Sequence, residues 1–370
     1  MPELYIGLMS GTSMDGIDAA LVEIDEGNIQ LIASHSHPIP PSLKEKLKLL
    51  SLDSKQASID MLGEADTELG ITFADAVLQL IEKSCIKAEQ VTAIGSHGQT
   101  IRHRPDLQNS FSLQIGDANR ISHLTGITTV ADFRRKDMAA GGEGAPLAPA
   151  FHQQVFHSNE KNLAILNIGG ISNLTFLPAD KKLPCFGFDC GPGNMLMDAW
   201  IQKNKRKNYD KNGDWAASAT AETDLVNQFM QDEFILTCPP KSTGREHYNL
   251  EWLEKQLENL SQLSSEQVQA SLCQFTCDSI AHAIEHHLPD ISTLIVCGGG
   301  IHNRHLMKQL AEKLSNISIE SSDAHGVHPD WVEAIAFAWL ASQTVNGRTG
   351  NLPAVTGAAQ AKVLGAIYPP

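Results

Sequence analysis

Two glycine-rich turns in the sequence have the composition of an anion-binding site. The segment GTSMDG at 11–16 lies between two apolar, β-prone stretches, and Gly169 and Gly170 follow the stretch LAILNI in the same way. In such turns backbone N–H groups converge without obstruction, and hydroxyls such as those of Thr12 and Ser13 add donors. This chemistry suits the phosphates of a nucleotide. The sequence has neither G-x-x-x-x-G-K-[ST] nor G-x-G-x-x-G, so we expect a phosphate site of another kind.

One aspartate stands where a carboxylate could act on a bound ligand. Asp189 lies in the string GFDCGPGN, at the end of a predicted strand and just before the glycine-rich start of a predicted helix. A carboxylate there can serve as a general base, but it can also cap the helix NMLMDAW. Both interpretations are open from the residues alone.

The elements that must position these residues follow one order twice. LYIGLMS, IDAALVEID and IQLIASHSH predict a three-stranded meander whose first turn is GTSMDG; helical sequence follows, including 61–84, and then a buried strand at 91–99 that ends in a loop. LAILNIGG, ISNLTFLP and PCFGFDCGPG predict three more strands, followed by helices, including 265–287, and by the strand STLIVCGGG. We interpret this order as a duplication.

The length also favours two domains, because 370 residues exceed what one hydrophobic core usually serves. We place the first half at 1–131, with 352–370 as a candidate to return to it, and the second half at 132–351. The segment DFRRKDMAAGGEGAPLAP at 132–149 separates the halves. It is either a linker or the lining of a cleft, where loops tend to carry function.

The composition argues against nucleic-acid and membrane partners. There are 28 Lys+Arg against 43 Asp+Glu, a formal net charge of −15, and no basic run that could follow a phosphate backbone. No stretch approaches about 18 uninterrupted apolar residues, and the N-terminus lacks the features of a secretory signal. We therefore expect a cytoplasmic protein. Its seven cysteines are scattered, which favours reduced thiols over zinc ligands or disulfides.

A series of strings along the chain resembles the anhydro-N-acetylmuramic acid kinase family. They span essentially the whole chain in order: GLMSGTSMDGIDAALVEID, SHGQTIRHRP, DFRRKDMAAGGEGAPLAP, ILNIGGISNLT, FDCGPGNMLMDAW, PPKSTGRE, VCGGGIHN and GNLPAVTGA. The resemblance implies an α/β fold of two duplicated ribonuclease-H-like halves, of the actin, Hsp70 and sugar-kinase type, flanking a nucleotide cleft. One departure is Cys190, which follows Asp189 where many relatives have Thr.

The resemblance implies an ATP-dependent reaction with Mg²⁺ in which the 1,6-anhydro ring of anhydro-N-acetylmuramic acid is opened. Water adds at C1 while the γ-phosphoryl group goes to O6, giving N-acetylmuramic acid 6-phosphate for peptidoglycan recycling in the cytoplasm. It also implies a homodimer. Because O6 is held in an ether, the base must act on a water, and the resemblance gives that role to Asp189.

The remaining site residues are also implied by the resemblance. Asp15 and Asp18 would be outer ligands of Mg²⁺, although aspartates in a turn can simply form it. Gly169 and Gly170 would form a second phosphate clamp, and the glycines 298–300 would let the nucleoside approach the backbone. The ATP-binding set is Gly11, Thr12, Ser13, Met14, Asp15, Gly16, Ile17, Asp18, Gly169, Gly170, Gly298, Gly299 and Gly300.

Candidates for binding the sugar are His97, Gln99, Arg134 and Glu333. A muramic acid carries a lactyl carboxylate that an arginine can bind in a bidentate manner, and Arg134 is our candidate. Its alternative is a surface ion pair, and its neighbours Asp132 and Arg135 could serve instead. A second pair, Lys241 and Arg245 in PPKSTGRE, could approach phosphate or cap a loop.

Two other functions compete with the kinase. GTSM at Ser13, HGQT at His97 and DCG at Asp189 are similar to the triad strings of subtilisin-like serine proteases, whose residue order varies between folds. The subtilisin serine string, however, continues into a helix, whereas GTSMDG continues into a predicted strand. The other alternative is a non-catalytic ATP-binding protein of the same superfold, which fold alone does not exclude.

Overall fold

The computed structural model describes residues 2–370 apart from 12, 13, 15, 26, 52–55, 246 and 259–261. The strands of this part of the chain are β1 (Glu3–Ser10), β2 (Ile17–Asp25), β3 (Asn28–His37), β4 (Val91–Arg104), β5 (Phe111–Ile115), β6 (Thr129–Ala131), β7 (Leu163–Ile168), β8 (Ile171–Leu177), β9 (Phe186–Pro192), β10 (Thr293–Cys297), β11 (Ser318–Ser321) and β12 (Ala366–Tyr368).

The α-helices of the same part are α1 (Pro41–Ser51), α2 (Ile59–Ser84), α3 (Ala118–Thr125), α4 (Phe133–Met138), α5 (Ala148–Phe156), α6 (Met195–Lys205), α7 (Thr223–Met230), α8 (Glu233–Leu236), α9 (Leu250–Leu257), α10 (Ser265–His287), α11 (Arg304–Lys313), α12 (Val332–Val345) and α13 (Pro353–Thr356). Short 3-10 helices cover Ala88–Gln90, Lys211–Gly213, Ala216–Ser218, Gly299–His302 and Ser322–His325.

The chain forms two compact units. Unit 1 is Met1–Phe156 with Trp331–Pro370, and unit 2 is His157–Asp330. The sheet of unit 1 has the order β12-β6-β4-β1-β2-β3, with β5 paired to β4, and the sheet of unit 2 has the order β11-β10-β7-β8-β9.

The two sheets repeat one pattern of pairing. In unit 1, β1 pairs with β2 and β2 with β3, both antiparallel, while β1–β4 and β4–β6 are parallel. In unit 2, β7–β8 and β8–β9 are antiparallel, while β7–β10 and β10–β11 are parallel. The duplication predicted from the order of elements is confirmed, and with it the ribonuclease-H-like α/β fold of each half.

The boundaries of the units differ from those predicted from sequence. Residues 132–156 and 331–351, which we assigned to the second half, lie in unit 1. Residues 331–351 belong to unit 1 because α12, which lies in this segment, packs on β1 and β4. Gly7 and Gly95 are register partners in these strands, and a Cβ atom on either would overlap the α12 backbone, at the carbonyl oxygens of Ala334 and Phe337 respectively. Two facing glycines therefore admit a helix directly onto the sheet.

Strand β4 is longer than its predicted range of 91–99. Beyond its parallel pairing with β1 and β6, it continues to Arg104 because β5 supplies antiparallel partners from Gln99 onward. His97 and Gln99, which we predicted at the end of this strand, therefore lie in its interior.

Each unit has its own apolar core. Leu69, Phe73 and Leu80 lie on the inner face of α2 and are fully buried in the core of unit 1. Phe275 and Ile280 of α10 are fully buried in the core of unit 2. Burial of one such side chain contributes roughly 1.5–3 kcal/mol, so these helices are held mainly by their apolar faces.

Candidate active site

Asp189 lies on β9 of unit 2, and its carboxylate is oriented by the segment that follows the proline pair at 239–240. Its Oδ2 accepts hydrogen bonds from the backbone N–H of Thr243 at 2.9 Å and from Oγ of Ser242 at 3.1 Å. Its own backbone N–H donates to the carbonyl of Lys241 at 3.2 Å. The residue is half-buried. A half-buried carboxylate whose Oδ2 is oriented by two donors can accept a proton from a bound water.

The Lys241 side chain caps a helix. Its Nζ donates to the carbonyls of Phe234 and Ile235 at 3.0 Å each, at the C-terminal end of α8, and lies 4.8 Å from the centre of the Phe234 ring. Burial lowers its pKa, and the nearby Cys190, Cys238 and Asp189 oppose that effect. We predicted that Lys241 would approach a phosphate or cap a loop; in the structure it caps the end of helix α8.

Cys190 contributes to the core. It is 1% exposed, and burial, with the charge of Asp189 second, raises the pKa of its thiol well above the ordinary value. The thiol therefore stays protonated beside the carboxylate.

The glycine turn between β7 and β8 is bonded to the start of α6. The carbonyl of Gly169 accepts from the backbone N–H of Asn194 at 2.8 Å, and that of Gly170 accepts from Gly193 at 2.8 Å and from Met195 at 3.2 Å. A Cβ on Gly193 would overlap the carbonyl oxygen of Gly169, so the glycine permits this approach. Gly170 itself is exposed. The turn is thus braced from behind by the helix while one of its glycines faces solvent.

The glycines after β10 have different roles. Gly298 has φ +80, and a Cβ there would overlap Oδ1 of Asn167; one on Gly300 would overlap the side chain of Ile168. Both are required by close packing against β7. Gly299 is exposed with open space around its Cβ position. Of the three, Gly299 is the one that a ligand can approach.

Gly299 borders a cavity of about 420 Å³ within unit 2. Its volume lies in the range of small-molecule sites. Tyr209 at its edge is 61% exposed, and Asp210 is 7% exposed. The lining residues are Asn194, Met197, Asp198, Tyr209, Asp210, Lys211, Asn212, Gly299, His302 and Asn303.

Asp210 and Asn303 hold the walls of this cavity. The carboxylate of Asp210 accepts from the backbone N–H groups of Trp215 and Ala216 at 2.9 Å each and from Nε2 of Gln269 at 3.2 Å. Asn303 caps α11, with its Oδ1 accepting from the N–H of Leu306 at 3.0 Å. These polar groups form hydrogen bonds within the protein and so fix the shape of the cavity.

In unit 1, the turn between β1 and β2 is the predicted hairpin turn. The N–H of Met14 donates to the carbonyl of Gly11 at 3.1 Å. Met14 is 6% exposed and Ile17 is fully buried, so both side chains belong to the core and not to a ligand surface. Gly11, Gly16 and Asp18 are half-buried. The predicted ligands Thr12, Ser13 and Asp15 lie outside the described residues.

Arg134 and His97 are brought together. Nε and Nη2 of Arg134 lie 3.2 and 2.9 Å from Nε2 of His97, and Nη1 donates to the carbonyl of Gly144 at 2.8 Å. Burial, with the charge of Arg134 second, lowers the pKa of His97 to about 3, so its ring is neutral and accepts. Burial also lowers the pKa of Arg134 to about 10, while Glu333 and Asp137 oppose it. The neighbouring Arg135 instead pairs with Asp132, at 2.6 Å.

Gln99 does not present its amide to a ligand surface. It is fully buried, and its Oε1 accepts from Oγ of Ser10 at 2.7 Å, where the two residues are register partners in β4 and β1. Gln99 therefore joins two strands beneath the site, which differs from the sugar contact that we predicted.

Glu333 lies in the first turn of α12, with its side chain exposed to solvent. Desolvation by the surrounding protein raises the pKa of its carboxyl; the charge of Asp18 raises it further and that of Arg134 lowers it. Water screens part of these effects because it reaches the side chain. Asp18, Arg134 and Glu333 thus influence one another electrostatically in unit 1.

Several residues that build these sites were not predicted from the sequence. Ser242 and Thr243 orient Asp189, and Asn194 links the glycine turn to α6 through Nδ2, which donates to the carbonyls of Ile168 and Gly169. Asn194 and Asn303 each stand directly before a helix, which is a usable signal for a cap. The exposed Tyr209 gave no such signal.

Comparison with known proteins decides the family. The family model for anhydro-N-acetylmuramic acid kinase matches residues 3–370. The chain is 50% identical over 366 residues to an anhydro-N-acetylmuramic acid kinase of Coxiella burnetii, covering 99% of this chain and 97% of the relative. The chain belongs to the anhydro-N-acetylmuramic acid kinase family. A relative with that name from Shewanella woodyi is 49% identical over 367 residues, covering 99% of each chain.

A solved structure, the Acidaminococcus fermentans (R)-2-hydroxyglutaryl-CoA dehydratase component A, is also similar to this chain. The TM-score is 0.48 at 11% identity, over 91% of this chain and 96% of the other.

Membership in the anhydro-N-acetylmuramic acid kinase family confirms the predicted activity, a kinase of this sugar in cell-wall recycling. It does not favour the serine hydrolase or the non-catalytic ATP-binding protein. The geometry agrees, because β2 and not a helix follows the GTSMDG turn, and because Nε2 of His97 is engaged by Arg134. Among the helices of the described residues, none has the length and apolar character that a membrane span requires.

Proposed function

We propose that this chain opens the 1,6-anhydro ring of anhydro-N-acetylmuramic acid with water and transfers the γ-phosphoryl group of ATP to O6. The water oxygen bonds to C1 and its proton goes to a base. The C1–O6 bond breaks, and O6 takes the phosphoryl group as ADP leaves. The products are N-acetylmuramic acid 6-phosphate and ADP.

The observation that carries this proposal is the setting of Asp189. Ser242 and Thr243 hold one carboxylate oxygen, so the carboxylate is oriented before a substrate arrives. A general base must lie within hydrogen-bond reach of the proton that it removes, and an oriented carboxylate needs little reorganisation to do so. We assign to Asp189 the role of activating the water.

The ATP contacts are assigned to the glycine turns of the two units and to the cavity of unit 2. Gly170, exposed on a turn that α6 braces, suits a phosphate, and the cavity beside Gly299 has room for a nucleoside. Gly11 and Gly16 are the described members of the phosphate contact that we propose for the β1–β2 turn of unit 1.

Mg²⁺ is assigned to Asp18, and to Asp15 in the part of the turn outside the described residues. Asp18 is half-buried and close enough to Glu333 to raise the pKa of its carboxyl, so negative charge gathers on this side of unit 1. Carboxylate oxygens are the donors that Mg²⁺ prefers. When bound, the ion would neutralise phosphate charge.

The sugar contacts are assigned to Arg134 and Glu333. An arginine has five N–H groups, and within the described residues three of those of Arg134 are directed to His97 and Gly144. One N–H on each terminal nitrogen is left to bind the lactyl carboxylate in a bidentate manner. The Glu333 carboxylate, exposed at the start of α12, can accept from sugar hydroxyls. His97 orients the guanidinium from behind.

The test is sugar-dependent release of ADP. We expect ADP to form from ATP and Mg²⁺ only when the anhydro sugar is present, with a product whose mass equals that of the sugar plus water and one phosphoryl group. Anhydro-N-acetylglucosamine, which lacks the lactyl group, is the matched substrate control and should require a higher concentration. Equal ADP release without sugar would contradict the proposal.

The cytoplasmic location and the homodimer implied by the family resemblance are part of the same proposal. Fractionation of cells and light scattering of the purified chain test them separately from the chemistry. A single-chain mass in solution would remove the homodimer and leave the reaction unaffected.

A further inference from the structure

Asp137 is a fully buried carboxylate that the proposed chemistry does not use. It is the penultimate residue of α4 and is 0% exposed. Its Oδ1 accepts from Nδ2 of Asn351 at 2.6 Å and from Oγ1 of Thr356 at 2.8 Å, and its Oδ2 accepts from the N–H of Gly144 at 2.9 Å. An ionised carboxylate with these donors on both oxygens is well compensated, and the loss of any partner is costly.

The bond to Gly144 connects Asp137 to the proposed sugar site. The N–H of Gly144 donates to Asp137, while its carbonyl accepts from Nη1 of Arg134 at 2.8 Å. Gly144 therefore contacts the buried Asp137 carboxylate through its N–H group and the Arg134 guanidinium through its carbonyl group. Arg134 then meets His97 through Nε and Nη2.

The remaining partners of Asp137 come from a distant part of the sequence. Asn351 and Thr356 belong to the segment GNLPAVTGA, and Oδ1 of Asn351 accepts from the N–H of Lys362 at 2.6 Å. The N–H of Glu143 donates to the carbonyl of Thr356 at 2.7 Å, next to Gly144. The loop that carries Gly144 is therefore fastened to the C-terminal segment by Asp137 and by the backbone.

We propose that Asp137 is a positioning residue for sugar recognition, which fixes the Arg134 guanidinium through the peptide of Gly144 and through the C-terminal segment. This inference rests on the proposed binding of the lactyl carboxylate by Arg134. It assigns to the segments DFRRKDMAAGGEG and GNLPAVTGA a common task, which is to set the orientation of one arginine.

The test is a double-mutant cycle on Asp137 and Arg134, read as the KM for the anhydro sugar against the KM for ATP. Arg134→Lys alone should raise the KM for the sugar. Asp137→Asn keeps the shape but cannot accept on both sides, and should raise the same KM about tenfold, as expected for the loss of a hydrogen bond to a charged group. Because Asp137 acts through Arg134, its substitution should add less than about twofold in the Arg134→Lys background.

The outcomes separate this inference from the proposed function. An unchanged sugar KM in Arg134→Lys would overturn the proposed carboxylate contact, and this inference with it. A raised KM in Arg134→Lys but not in Asp137→Asn would overturn the inference alone. Equal effects of Asp137→Asn in both backgrounds would show an independent structural role and would also overturn it.

A second pair of variants covers the case in which Asp137→Asn does not fold. Gly144→Ala places a Cβ 2.8 Å from Cγ of Met138 and 3.1 Å from the carbonyl oxygen of Arg134, at a backbone φ of +73, so Gly144 or these neighbours must move. Gly141→Ala is the matched control, because Gly141 has φ +86 against +73 for Gly144 but open space around its Cβ position. We expect Gly144→Ala to raise the sugar KM and Gly141→Ala to leave it within about twofold. Equal KM values in the two variants would overturn the proposal.

Discussion

Replacement of Asp189 by Asn removes the proposed base with the least change in shape. The Asn side-chain oxygen can take the place of Oδ2 and keep the hydrogen bonds from Thr243 and Ser242, which lie at 2.9 and 3.1 Å. These bonds become neutral, which weakens them by about 1 kcal/mol in total, so the protein should still fold. The proton acceptor, however, is lost.

Loss of a general base costs a factor of about 10²–10⁴ in rate, or roughly 3–5 kcal/mol in the barrier. We expect kcat of Asp189→Asn to fall by that factor while the KM for ATP changes by less than about twofold. The assay is sugar-dependent ADP release by the purified variant, with circular dichroism to verify folding. Ser242→Ala is the matched control, because it removes one bond to the carboxylate and keeps the base, and its kcat should fall less than about tenfold. A folded Asp189→Asn enzyme with kcat within about tenfold of the wild type would refute the assignment.

Further predictions concern the glycine run, the exposed acid and the buried histidine. Gly300→Ala should lose about 1–3 kcal/mol of stability by overpacking, measured by thermal denaturation, whereas Gly299→Ala should keep its Tm and raise the KM for ATP; the reverse pattern would contradict the cavity assignment. The pKa of Glu333 is raised in the folded state, so the native protein binds the proton more tightly and loses stability as pH rises through that pKa. Glu333→Gln should therefore have a higher Tm than the wild type at pH 7, with the difference gone near pH 4 when both are measured by calorimetry. The pKa of His97 is about 3, so its ring should show no NMR titration between about pH 5 and 8; a midpoint near the ordinary value would show that burial and Arg134 do not hold it neutral.

The repeated strand order could be predicted because its signals are local. Alternation of apolar residues and glycine punctuation mark β1, β2 and β3, and then β7, β8 and β9, and each signal lies within a few residues of the element that it defines. The same pattern predicted the hairpin turn at 11–16. It also argued against the serine hydrolase, because the serine string of subtilisin continues into a helix and this turn continues into a strand.

The unit boundaries could not be predicted because they depend on pairs that are distant in sequence. Helix α12 belongs to unit 1 because Gly7 and Gly95 leave space for its backbone on the sheet. An apolar helix with a single acid gives no signal of which sheet it covers. The extension of β4 likewise depends on its pairing with β5, which the sequence of β4 alone does not indicate.

The candidate site shows the same limit at the level of single side chains. Arg134 and Arg135 are adjacent and identical in type, yet one meets His97 while the other pairs with Asp132, because successive residues of a helix face different directions. Gln99 and His97 are two residues apart on β4, yet Gln99 bonds to Ser10 of β1 while His97 meets Arg134. Residue types thus indicated which interactions were possible, but the backbone conformation determines which residue is in position to make them.

The central claim is that water, activated by a carboxylate, opens the anhydro ring as O6 is phosphorylated. Turnover of ATP, Mg²⁺ and anhydro-N-acetylmuramic acid in ¹⁸O-water tests it most directly, with the product analysed by mass spectrometry and ¹³C NMR. We predict one ¹⁸O atom on C1 of a 6-phosphorylated product and none in its phosphoryl group. Label in the phosphoryl group, or a phosphorylated product whose anhydro ring is intact and unlabelled, would contradict the mechanism.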